Sequence, residues 1–191
     1  MDDRRTELSV LDGRRGGRLR PALASLRSLL VVLALGCLVG APLLLSSPRT
    51  RSFERTFGSK RALAEEVLAG LAANDSDTLR GLALSESEFK ELVWPEMPAY
   101  DRVPADYVWD DLRAKSGHAL LKSLSRHGGR RFELLDVRFR KGVSAYDTFV
   151  VHRRAQLLVR DEKGRERTLD VMGSVLEKDG RYKLFSYVVD R

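Results

Sequence analysis

The feature that most constrains this chain is a change of hydrophobic period at Gly128-Gly129. Before that pair, apolar residues recur three and four apart, as on one face of a helix. After it they alternate with polar residues, as on a half-buried strand. Helices first and an antiparallel meander afterwards make an α+β plan.

The helical part divides at its caps. Ser59 is a good N-cap, Leu63, Val67, Leu68 and Leu71 form one apolar stripe, and Asn74 can close the C-terminus. A short segment follows over 76–84. Ser85 with Glu88 spells a capping box, Phe89, Leu92 and Val93 give the next apolar face, and Pro95 stops it. The stretch WPEMPAYDRVP, residues 94–104, holds three prolines and reads as a connector. The spacing of Trp109, Leu112, Ser116, Leu120, Leu124 and His127 then predicts the longest helix, from an N-cap at Asp106 to about Arg126.

About four strands are expected beyond the glycine pair. The first covers 130–140, with Leu135, Val137 and Phe139 on its apolar face. The second covers 146–160. Phe149, Val151, Ala155, Leu157 and Val159 share one of its faces, and Tyr146, Val150, His152, Gln156 and Leu158 the other. A turn at 161–164 leads into 167–177, and Lys178-Asp179-Gly180 turns again into 182–189.

Ahead of this domain stands LLVVLALGCLVGAPLLL, residues 29–45, inside an uncharged window of 21 residues from 28 to 48. That length is close to the roughly 20 residues that cross a hydrocarbon core. Its eight leucines and three valines favour insertion by about 3 to 7 kcal/mol. The expectation is a single-pass transmembrane helix at 29–47, with the lipid bilayer as a partner. The chain then divides into a basic, disordered tail over 1–28, the anchor, a linker over 48–58 and one domain over 59–191.

Charge supports that division. The formal net charge of +7 splits into +3 from seven Arg against four acids in residues 1–28, and +4 from 27 basic against 23 acidic residues in the remainder. Basicity spread so thinly gives no reason to expect nucleic acid. The positive-inside rule puts the tail in the cytoplasm and the domain outside it. The single cysteine, Cys37, lies within the apolar run, so no intramolecular disulfide can form. Ala34-Leu35-Gly36-Cys37 also has the look of a lipobox, which leaves a lipoprotein acylated at Cys37 as an alternative.

Helices first, a long helix ending in a glycine pair, strands apolar on both faces and a closing KDGRYKLFSYVVD over 178–190 resemble the nuclear transport factor 2-like superfamily. In wording the chain is similar to exported bacterial proteins of that kind. The resemblance implies a curved antiparallel sheet wrapping the helices into a cone over about residues 59–190. That superfamily holds binding and assembly domains alongside isomerases and cyclases, so the resemblance by itself implies no activity. Many relatives form homodimers through the open sheet face, which the resemblance therefore also implies.

No catalytic motif is present. An isomerase-like site needs an Asp base with a Tyr and a protonated acid. Asp136, Asp147, Asp170, Tyr146, Tyr182 and Tyr187 supply the residue types without a local match. His118, His127 and His152 lack metal-ligand spacing, and no glycine-rich phosphate loop or nucleophile elbow appears, so no cofactor or metal is expected. Arg153, Arg154, Arg160, Lys163, Arg165 and Arg167 gather at one hairpin, where Asp161, Glu162 and Glu166 interrupt them. Candidate contact residues are Trp94 and Trp109, which flank the connector, with Tyr146 and His152. The function expected is a membrane-anchored extracytoplasmic binding or assembly module, with a membrane or envelope protein as partner. The alternative is a cavity enzyme of the isomerase or cyclase type acting on a small apolar substrate.

Overall fold

The computed structural model describes residues 52–189. Ser59 caps helix α1 (Lys60–Ala73) by accepting from the Ala62 N–H, and Asn74 closes it in the left-handed conformation. Asp75 caps α2 (Ser76–Leu82) through the N–H groups of Asp77 and Thr78. Ser85 and Glu88 complete the capping box of α3 (Glu86–Glu88). The chain continues without a break through a π turn at Phe89–Val93 and a 3-10 turn at Trp94–Glu96. Pro104 precedes the long helix α4 (Ala105–His127). Asp106 therefore sits inside the first turn rather than at the cap, and it pairs with Lys90.

Gly128 and Gly129 end α4 in two different ways. Gly128 has an ordinary φ of −59°, but a Cβ there would stand 2.5 Å from the Leu124 carbonyl oxygen and against the Asn74 side chain. Gly129 meets nothing, but its φ of +74° is the left-handed conformation that side chains resist.

The strands are β1 (Phe132–Phe139), β2 (Val143–Ala145), β3 (Val150–Arg153), β4 (Ala155–Asp161), β5 (Glu166–Leu169), β6 (Met172–Lys178) and β7 (Arg181–Tyr187). All pairings between these strands are antiparallel, in the orders β1-β4-β5 and β2-β3-β6-β7. The expected four arms are visible in this pattern, but two of them break. The arm read over 146–160 is cut at Arg154, whose φ is +60°. The arm read over 167–177 is cut after Leu169, and a short strand that the sequence reading did not include, β2, lies between the first two arms. Hydrogen bonds such as Arg140 N–H to Arg154 O (3.0 Å) and Arg153 N–H to Gly142 O (3.0 Å) bridge the first of these breaks. The first arm also carries a bulge between Leu134 and Asp136. It moves the buried positions to Leu134 and Val137, so Leu135 is not on the inward face as the alternation suggested.

Two apolar clusters result. One joins α1, α2 and the second half of α4 to β1, β4 and one face of β6 and β7, with Leu63, Leu79, Leu120, Leu157, Val175 and Leu184 at its centre. The other joins Phe89, Trp94, Trp109, Phe149, Val151 and Leu176 on the opposite face. Residues 52–58, read as linker, lie against the domain. Phe53 is buried in the second cluster, and Phe57 exchanges both backbone hydrogen bonds with Tyr182 on the outer edge of β7.

One expectation is corrected. The architecture read from the sequence opens with a transmembrane helix, but among the described residues no helix is long and apolar enough to cross a membrane. The longest, α4, carries Asp106, Asp110, Asp111, Arg113, Lys115, Lys122 and Arg126 along one side and is amphipathic. The anchor placed at 29–47, the tail at 1–28 and Cys37 lie outside the described residues. Over the described residues the fold is α+β, helices followed by antiparallel sheets.

Candidate binding pocket

Where α4 crosses the end of β7 the two apolar clusters separate and leave a cavity of about 500 Å³. That lies within the range of roughly 300 to 1,000 Å³ found for small-molecule sites. From β7 it is lined by Phe185 and Tyr187, from the segment after α2 by Ala83 and Leu84, and from α4 by Trp109, Leu112, Leu120 and Leu121. Ala114 and Gly117 supply the hollow in the helix surface, and a Cβ on Gly117 would meet nothing within 4 Å. Arg80 and Arg113 complete the lining, with side chains 60% and 69% exposed, which puts their guanidinium groups at the rim.

The polar groups of the floor are engaged within the fold. Tyr187 donates from its hydroxyl to the Leu79 carbonyl (2.6 Å) and from its N–H to Ser116 Oγ (3.0 Å). Burial pushes the Tyr187 phenol well above the usual tyrosine range, so it stays protonated in that bond. The edge of β7 is held by the Leu84 N–H donating to Leu184 O (3.0 Å). These contacts fix the walls before any ligand arrives. The indole Nε1 of Trp109 is buried and has no hydrogen-bond partner among the described residues.

Of the four residues singled out in the sequence, only Trp109 lines this cavity. Trp94 is buried beside Phe89, which lies between the two tryptophans with ring centroids 5.8 and 5.5 Å away. Tyr146 stacks on Phe149 at 4.8 Å in the same cluster. His152 lies elsewhere on β3. It stacks on Phe139 at 4.8 Å, and its Nε2 is 2.6 Å from Glu177 Oε2.

The carboxylates weighed for isomerase-like chemistry are dispersed. Asp136 binds Arg138 and the Val137 N–H, Asp170 accepts from Gln156, and Asp147 lies in the exposed loop before β3. None lines the cavity. Among the described residues no three His, Cys, Asp or Glu side chains gather to hold a metal ion. The basic hairpin closes on itself: Arg165 and Arg167 bind Asp161, and Arg160 pairs with Glu133 and Glu166.

The residues missed in the sequence are Phe185, Leu84 and the Ala114, Gly117, Leu121 face of α4, whereas Tyr187, weighed there for isomerase-like chemistry, lines the cavity with its hydroxyl bonded to Leu79 O. Small residues three apart in a helix were the one local signal, because a glycine in a helix interior costs about 1 kcal/mol relative to alanine. Comparison with known proteins finds no matching family model, no matching curated protein and no matching solved structure.

Proposed function

We propose that this chain is a binding module of the nuclear transport factor 2-like kind, and that the cavity between α4 and β7 is its ligand site. The superfamily reading is supported by the element order, by the long helix ending on a glycine pair, and by a bent antiparallel meander that closes on β7. The binding reading is carried by the cavity lining. Among the described residues its lining has no carboxylate, imidazole or thiol that could serve as a general base or nucleophile, while its walls are aliphatic and aromatic side chains held by bonds made within the fold. An apolar site with few polar groups suits recognition of an apolar body.

The test is titration of the protein with Nile red, a neutral apolar fluorophore, in parallel with the variant Gly117→Leu. Gly117 lines the cavity and a Cβ there meets nothing within 4 Å, so a leucine at that position has room to enter it and take up part of the ligand's space. Saturable fluorescence in the wild type that disappears in the variant is the expected result. Equal enhancement in both, with both folded by circular dichroism, overturns the assignment of the site.

A further inference from the structure

The charged groups of the cavity are all of one sign. Among the described residues, Arg80 and Arg113 are the only ionisable side chains of its lining apart from the Tyr187 phenol, and no acidic residue belongs to it. Each arginine is held only loosely by its own neighbour. Arg80 Nη1 stands 4.0 Å from Asp77 Oδ1, and Arg113 Nη2 stands 3.5 Å from Asp110 Oδ1, both at the exposed surface. Exposed pairs of this kind are weak, so the guanidinium donors stay available to an anion that offers better geometry. Below them the floor is largely carbon, with the Tyr187 hydroxyl donating to Leu79 O and Ser116 Oγ accepting the Tyr187 N–H.

We infer that the cavity takes a free single-chain amphiphile with an anionic head, its alkyl body between α4 and β7 and its carboxylate between Arg80 and Arg113. This rests on the binding reading above and adds the chemical class of the ligand. A carboxylate matches the planar fork of a guanidinium, which a cationic or uncharged head does not. The chain beneath is desolvated against Phe185, Leu112 and Leu121.

The experiment is isothermal titration calorimetry of the full chain with three probes of equal chain length, each below its micelle concentration: dodecanoate, dodecanol and dodecyltrimethylammonium. Dodecanoate is expected to bind at one site and more tightly than either of the others. The double variant R80E/R113E is expected to weaken dodecanoate by about tenfold or more, with dodecanol changed far less. G117L is expected to abolish binding of both. If the three probes bind alike, or the charge reversal leaves dodecanoate unchanged, the anionic class is overturned while the apolar site stands. If nothing binds, or binding survives G117L, the site itself is overturned. Co-sedimentation with anionic phosphatidylglycerol vesicles that is indifferent to G117L, without binding of free dodecanoate, would replace the free amphiphile by a bilayer surface.

Discussion

Lys183 on β7 places its ammonium 3.2 Å from the Glu88 carboxylate, and both side chains are almost fully buried, at 3% and 4% exposure. The same ammonium donates to the Glu54 carbonyl (2.8 Å), while Glu88 accepts the N–H groups of Glu54 (2.6 Å) and Ser85 (2.8 Å). One ion pair thus fastens three stretches distant in sequence: residues 52–57, the start of α3 and the last strand. Burial pulls the Lys183 ammonium below the ordinary lysine range, against the pull of Glu88, so the lone cation would be costly there.

Breaking that pair from one side is therefore expected to be worse than removing both partners. Glu88→Gln or Lys183→Met should each cost about 3 to 5 kcal/mol in urea unfolding, while the double Glu88→Gln, Lys183→Met, which keeps an acceptor for the Glu54 and Ser85 N–H groups, recovers a large part of that loss. A double variant as unstable as the sum of the singles contradicts this account.

The glycine pair at the end of α4 makes a contrast. At Gly129 the obstacle is the backbone angle, so Gly129→Asn should be tolerated better than Gly129→Ala, whose left-handed φ costs about 1 to 2 kcal/mol. At Gly128 the obstacle is space, so Ala and Asn should both destabilise, by about 1 to 3 kcal/mol, with no rescue by Asn. Thermal unfolding of the four variants decides between these patterns.

Asp161 gives the pH dependence. Its carboxylate is held well below the usual range, first by the Arg165 N–H, then by the guanidinium groups of Arg165 and Arg167 and the Lys163 N–H. A carboxylate with a depressed folded-state value contributes stability that is fully present above its unfolded value, near 3.8, and is lost as pH falls through the lower one. Melting temperatures measured from neutral pH downward should fall more steeply below about pH 4 in the wild type than in Asp161→Asn, which has already lost the contribution. Parallel slopes would show that the hairpin does not depend on that charge.

Much of the local structure was legible because its causes are local. The caps at Ser59, Asn74 and Ser85 with Glu88 depend on residues within one turn of each helix, and so do the glycine stop and the hairpin turn at Asp179-Gly180. The breaks in the arms were not legible. Arg154 in the left-handed conformation has no signature in its residue type, and the bulge between Leu134 and Asp136 shows only in the pairing of β1 with β4. Phe149 and Val159 share a period in the sequence yet end in different clusters, because the crease at Arg154 lies between them. The cavity was least legible. Its walls come from Leu84, Gly117 and Tyr187, which only the tertiary fold brings together, and Trp109 alone could be singled out from composition and position.

Trp109 is also part of the packing. It is 7% exposed and contacts Phe89, so Trp109→Ala should cost about 3 to 5 kcal/mol, whereas Trp109→Phe should cost less because it removes an indole N–H that has no partner. Denaturant midpoints for the two variants check the order.

The most direct measurement uses the two tryptophans against each other. Trp109 lines the cavity and Trp94 does not, so Trp94→Phe leaves a reporter in the site and Trp109→Phe leaves one outside it. Each variant is titrated with an alkyl carboxylate brominated along its chain, which quenches indole emission on contact. Saturable quenching of Trp109, with Trp94 little affected, is the predicted result. Equal quenching of both, or of neither while the proteins remain folded, would contradict a ligand held between α4 and β7.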